Sequence, residues 1–494
     1  MRSYRIGRIE GRWENFIPPI QGGTFAKLST KREDAVTTEK EAQKQQLQED
    51  SDSSDSSAAP SPIFDTLEQD MTLRKRHDLS RSSGSSSSTS LSSMNLDGSD
   101  KERSLDHLDE LTQREIEFDL AKYPSLAPDV QTDIQDRYRQ LYQRMRDEHL
   151  FDCNYRAYAI EISRYTLLFA ASMVSLHYGQ YALSGLFLGM FWHQLVFTAH
   201  DAGHMGITHS YHGDTVIGIL IADFLGGLSI GWWKHNHNVH HVVTNSPEHD
   251  PDIEHMPFFA ISHRFLTSLR STYYERIMTY DAFAKFTLPY QHYLYYVVLL
   301  FGRFNLYRLS WEYLILGLGP RKGPARWHRW LEIVGQVFFW TWFGYGIVYK
   351  SIPTTSGRLA FILVSHMVTM PLHVQITLSH FAMSTADLGT AESFPQRMLR
   401  TTMDVDCPTW LDFFHGGLQF QAVHHLYPRM PRHNLRRAQA LVQKFCKETG
   451  IPYALYGFVD GNREVIGKLG EVAKHASVLA ECQRHVVGKP VFEH

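Results

Sequence analysis

The feature that most constrains this chain is a run of 40 positions, residues 160–199, whose only charged side chains are Glu161 and Arg164 near its start. A helix needs about 20 apolar residues to cross the hydrocarbon layer. Lipid offers the backbone no hydrogen bonds, so an apolar run of this kind must satisfy its own. The length predicts two spans, about 160–178 and 181–199, turning at Gly179 and Gln180. A second pair is predicted at about 331–349 and 359–378, joined by the polar connector 350–358. The expected fold class is therefore all-α: an integral membrane protein with four transmembrane helices, further interfacial helices and a histidine-rich cap.

Two other apolar stretches carry charges that lipid would penalise. Residues 215–233 contain Asp223, and residues 293–316 contain Arg303, Arg308 and Glu312. Both are expected to lie at the interface or to re-enter it, which returns every histidine cluster to one membrane face. That face is expected to be cytosolic, and residues 385–494 to form a soluble cap with a helical stretch over about 435–445. The mean hydropathy of −0.29 reflects polar termini diluting an apolar middle. Residues 27–112 read as a low-complexity linker too poor in apolar residues to build a core. Residues 129–148 read as a charged amphipathic helix leading into a membrane domain over 113–475, and residues 476–494 as a tail. The net charge of −3 argues against nucleic acid as the main partner. The four cysteines form no CxxC pair, so neither a zinc knuckle nor a disulfide framework is indicated.

Histidines cluster where the apolar stretches end. His200 and His204 stand four apart, so on a helix they share a face. His237, His240 and His241 repeat that arrangement with a third imidazole. Gln421, His424 and His425 keep the same spacing with an amide at the head, and His380 ends the fourth predicted span. His235 lies just outside the second set and is the weaker candidate. Taken singly, each motif is modest. Eight imidazoles exceed the four ligands usual for zinc, so two metal ions with about four nitrogens each is the economical expectation. Iron suits an alkyl substrate better than zinc, because an alkyl chain has no carbonyl for a Lewis acid to polarise. Gln421 is expected to bind metal weakly or to hold a water.

These boxes, together with Gly231-Trp232-Trp233-Lys234-His235-Asn236-His237, His249-Asp250-Pro251-Asp252 and Leu426-Tyr427-Pro428-Arg429-Met430-Pro431-Arg432, resemble the membrane fatty-acyl and sphingolipid desaturases. The likeness is to the cytochrome b5-fused front-end branch, and within it to the fungal delta-8 sphingolipid desaturases, over about 115–475. It implies a di-iron centre that activates dioxygen and removes hydrogens from C8 and C9 of a sphingolipid long-chain base, leaving a trans double bond. It implies His200, His204, His237, His240, His241, His380, His424 and His425 as iron ligands, with Gln421 beside them. It further implies electrons from NAD(P)H through a reductase and cytochrome b5, and an endoplasmic reticulum membrane with the site facing the cytosol.

The N-terminus departs from that pattern. Residues 1–26 resemble only the sequence that follows a b5 domain; no histidine precedes His77 and no HPGG haem loop occurs. No haem-binding residues are expected here, so either the gene record is truncated or a separate b5 supplies electrons. Trp232 and Trp233 are read as interface aromatics or as the mouth of a substrate tunnel. Asp250, Asp252 and Glu254 are read as surface charge, head-group contacts or partners of ligating imidazoles. The competing functions are a front-end desaturase of phospholipid- or CoA-linked acyl chains, a hydroxylase, and a histidine-rich metal transporter.

Overall fold

In the computed structural model, residues 98–487 are described, with side chains over 107–481. The expected remnant at 1–26 and most of the linker at 27–112 lie outside the described residues. Helix dominates: the only strands among the described residues are two short pairs, Arg270–Ser271 with Arg276–Ile277 and Asp404–Asp406 with Leu455–Gly457. The all-α expectation holds.

Four helices are long and apolar enough to cross a membrane: Tyr155–His177, Tyr181–Gly203, His328–Ser351 and Thr355–Leu378. The first begins at a side-chain cap, where Asn154 accepts from the Ala157 amide. Its Ile160, Leu167 and Val174 face outward, as lipid-facing side chains should. The second span is central, with Leu188, Phe191, Trp192 and Leu195 buried. It meets the fourth span through Gly185 and Gly189, where a Cβ would lie 2.8 Å from the Phe361 carbonyl and 2.6 Å from the Ser365 carbonyl. Small residues four apart let the two backbones touch.

Between the first and second pairs of spans, helical residues Tyr211–Leu225 and Ile230–Val243 bend on each other by 119°. This segment turns back at Gly226 and Gly227, where Gly227 takes φ +68° and a Cβ would collide with the Phe339 ring. Asp223, the acid that makes this stretch costly in lipid, helps to fold it, together with Glu332 of the third span. Asp223 accepts from the Ile230 amide and from Gln336 Nε2, and Glu332 accepts from the Gly231 amide. Each carboxylate thus sits at the positive end of the helix Ile230–Val243. Residues 293–316 are likewise broken, into Gln291–Leu300 and Gly302–Leu316. Arg303 is buried there, donating to the Gly226 carbonyl and lying 4.0 Å over the Trp192 ring.

The described chain begins with the helix Gly98–Lys122, which starts ahead of residue 113, and its last helix, Phe458–Val487, runs on past residue 475. The amphipathic helix Pro128–Asp147 is docked along one face. Its Ile134, Leu141 and Met145 pack with Val442 and Phe445 of the helix Leu435–Thr449, and Tyr138 donates to the Leu426 carbonyl at 2.7 Å. Buried Arg400 makes two bonds to Glu392, at 2.8 and 2.9 Å, and one to Asp119 at 3.0 Å. These contacts tie the segments before the first span to the segments after the fourth, around the ends that carry the histidines.

Candidate metal centre

Each histidine set is held by a different element. His200 and His204 end the second span, His237, His240 and His241 lie on the re-entrant helix Ile230–Val243, His380 follows the fourth span, and His424 and His425 lie on the helix Gln421–Leu426. The 119° turn brings the re-entrant helix back to the end it left, so the His204 and His241 rings are 4.6 Å apart. Had residues 215–233 crossed the bilayer, these rings would stand on opposite faces.

The imidazoles sort into two groups. Nitrogens of His200, His204, His237 and His424 lie within 4.8 Å of one another, as do those of His240, His380 and His425. His241 stands between them: its ring stacks 4.2 Å from His425, and its Nε2 is 3.1 Å from His237 Nε2. Ligand atoms of His237, His240 and Asp252 also lie within 4.8 Å of one another. All eight sequence candidates come together, and His235 does not; it is exposed, beside Tyr273 and Tyr313. Gln421 is buried and lines a cavity with Phe197, His200, Leu418 and His424.

Ring orientation comes from a surrounding layer of acceptors. His240 Nδ1 donates to Asp250 Oδ2 at 2.8 Å, His237 Nδ1 to Asp252 Oδ2 at 3.1 Å, and His425 Nδ1 lies 3.1 Å from Thr244 Oγ1. Asp250 is in turn fixed by the Asn245 and Asp252 amides, both at 2.8 Å. An imidazole that donates from Nδ1 keeps its Nε2 lone pair for a metal. Asp250 and Asp252 are therefore partners of imidazoles and not surface charge. Trp233 is neither free at the interface nor remote from the site, since its ring stacks 4.4 Å from His237. Gly203 makes room for it: a Cβ there would fall 2.1 Å from the indole.

The fit to a metal shows in what the rings leave unmet. His204 Nε2, His241 Nδ1, His380 Nδ1, His424 Nε2 and His425 Nε2 are buried without a hydrogen-bond partner. Buried polar atoms are rarely left so without a function. Burial, reinforced by neighbouring imidazoles, holds His204, His380, His424 and His425 well below the usual histidine range. Neutral imidazole is the ligating form. Two adjacent groups of neutral, orphaned nitrogen donors suit a pair of borderline metal ions such as iron.

Sequence reasoning gave no role to Arg432, which the structure buries beside the site. Its guanidinium pairs with Asp201 and Glu161 and donates to the Phe197 carbonyl at 3.1 Å. Tyr158 also donates to Asp201, and His433 Nε2 contacts Glu161 Oε1 at 3.0 Å. The first span, the second span and the Pro431–Arg432 turn are thereby linked one residue from His200. The signal was available: Glu161 is an acid in an otherwise apolar run, and such a residue calls for a partner.

Comparison with known proteins agrees with this geometry. The family described as fatty acid desaturase matches residues 177–457. The chain is 61% identical over 492 residues to a Delta 8-(E)-sphingolipid desaturase of Emericella nidulans, an alignment covering 100% of this chain and 86% of that protein. It is 46% identical over 510 residues to the Delta 8-(E)-sphingolipid desaturase of Candida albicans, covering 98% and 87%. A Delta(8)-fatty-acid desaturase of Helianthus annuus is 35% identical over 354 residues, covering 70% and 75%.

Proposed function

Because the chain belongs to the fatty acid desaturase family, we propose that it introduces a trans double bond between C8 and C9 of the long-chain base of a sphingolipid, ceramide or glucosylceramide. The observation that carries this reading is the pair of adjacent imidazole groups with buried, unpartnered ring nitrogens. His200, His204, His237 and His424 would hold one iron, and His240, His380 and His425 the other, with His241 between them. When bound, the two irons supply activation of dioxygen and abstraction of hydrogen from unactivated methylenes.

The chain's own residues do the positioning. Asp250 and Asp252 hold the His240 and His237 rings by their Nδ1 protons, and Thr244 sets His425. Trp233, stacked on His237, screens that edge from water. Gln421, in the cavity beside His200 and His424, would bind metal or hold a water. The balance is one CH2–CH2 unit, one dioxygen, two electrons and two protons giving one CH=CH unit and two waters. The electrons come from NAD(P)H through a reductase and a cytochrome b5. The protein resides in the endoplasmic reticulum membrane with this site facing the cytosol.

The test is expression in a host that lacks delta-8 unsaturated long-chain bases, with a cytochrome b5 supplied, followed by lipid mass spectrometry. The reading expects unsaturated bases to appear. Unchanged bases beside newly unsaturated acyl chains would reject the sphingolipid substrate, and no new double bond in an iron-replete preparation would reject desaturation.

A further inference from the structure

The segment after the fourth span reaches back along the membrane helices. Residues Thr409–Leu411 and Asp412–His415 form two short helical turns. Gln194 of the second span donates from Nε2 to the Phe413 carbonyl at 2.9 Å. Arg164 of the first span donates to Gln194 Oε1 at 2.7 Å, and its guanidinium lies 5.1 Å over the Phe413 ring. His193 stacks on Phe414 at 4.9 Å. Gln194 precedes His200 by six residues and His204 by ten, so these contacts lie roughly 9–15 Å down the helix from the two histidines. The segment is therefore level with the transmembrane part of both spans.

At that level its large exposed side chains are apolar. Trp410 is 69% exposed and Phe413 is 47% exposed. The start of the helix Phe458–Val487 adds Phe458 and Val459, both also exposed. The parallel pairing of Asp404–Asp406 with Leu455–Gly457 holds that helix start beside the segment, and His415 lies 5.9 Å from the Phe458 ring. The polar side of the segment turns elsewhere: Asp412 pairs with Arg436 on the helix Leu435–Thr449. Behind it the chain returns through Gly416 and Gly417 at φ +59° and +94° and lines the cavity that also holds His200 and His424. A Cβ on Gly416 would lie 2.1 Å from the Phe197 ring, so the segment presses directly on the second span.

We propose that Trp410, Phe413, Phe458 and Val459 form a bilayer-docking surface, seated at the headgroup–acyl boundary of the leaflet on the histidine side. Lipid is the occupant because the surface is continuous with the lipid-facing sides of the first two spans and lies at their depth. A tryptophan with its long apolar face and polar N–H suits that boundary, and partial burial of a monotopic segment follows the same physics.

The test uses the full chain in phosphatidylcholine nanodiscs. Nitroxide labels are placed at Trp410→Cys and Phe413→Cys in a background with the native cysteines replaced, and at Lys444→Cys as an aqueous control. Power saturation is expected to show oxygen collisions exceeding those with a water-soluble nickel chelate at 410 and 413, with the ratio inverted at 444. Nickel accessibility at 410 and 413 equal to that at 444 would overturn the proposal. So would exclusion of both reagents, which would mean that protein covers the surface. Should the cysteine background fail to fold, the unaltered chain with a diazirine-bearing phosphatidylcholine provides the second measurement. Photolabel within residues 409–415 is expected, and label confined to the four spans would overturn the proposal.

Discussion

His240 and Asp250 form a buried hydrogen-bonded pair, 2.8 Å from Nδ1 to Oδ2, with 2% and 0% of their surfaces exposed. No other acceptor need turn the ring, and the same carboxylate also holds the Asn245 and Asp252 amides. Asp250→Asn would set an amide N–H against at least one of these donors. Loss of a partner of this kind costs about 10–100-fold in metal affinity or activity. Iron retained at a fixed chelator concentration, measured by mass spectrometry on the purified protein, should fall in that range. Wild-type retention would show that Asp250 does not orient the ring.

Two histidines of the re-entrant helix, His240 within the second set and His235 just outside it, should behave oppositely. His240 lies inside the cluster, against His380 and His425 at 4.6 and 4.9 Å, whereas His235 faces Tyr273 outside it. His240→Ala is expected to abolish turnover and to lower the iron content. His235→Ala is expected to keep both. Equal loss from the two variants would contradict the assignment of ligands by proximity.

Arg432 neutralises buried Asp201 and partly buried Glu161. Removing the guanidinium leaves the two carboxylates without its charge, and breaking a buried ion pair costs about 3–5 kcal/mol. Arg432→Ala should therefore lower the thermal midpoint in detergent well beyond a surface substitution. Adding Glu161→Gln and Asp201→Asn should recover most of that loss, because the uncompensated charges are then gone. A single variant as stable as the parent would mean that water, and not Arg432, satisfies the two carboxylates.

Metal removal should destabilise the protein itself. Five ring nitrogens in the cluster have no protein partner, so the native state gains whatever free energy iron contributes there. Chelation is expected to lower the melting temperature of the detergent-solubilised protein, and added ferrous iron to restore it. A melting temperature indifferent to both treatments would disconnect these nitrogens from metal binding.

Much of this architecture was legible before any coordinate. The four membrane helices follow from runs almost free of charge, and the re-entrant stretch from the misplaced Asp223. The spacing of His200 with His204, and of His237 with His240 and His241, already placed each set on one helix face. Other relations were not legible. Asp250 could be read equally as surface charge, Trp233 as an interface aromatic and Arg432 as nothing in particular, because each acquires its role from a side chain in another element. Residues 129–148 read as a charged amphipathic helix leading into the membrane domain, and nothing in that pattern shows that Tyr138 donates to the Leu426 carbonyl immediately after His425.

Hydrophobic runs and i, i+4 spacings are properties of neighbours along the chain. They were enough to establish four spans, a common face for the clusters and the residue types available to a metal. Which imidazoles share a group, how Asp250 and Thr244 turn them, and how far Phe413 descends beside Gln194 depend on long-range packing. Those are contacts between residues up to a few hundred positions apart, and only the folded chain brings them within a few ångströms.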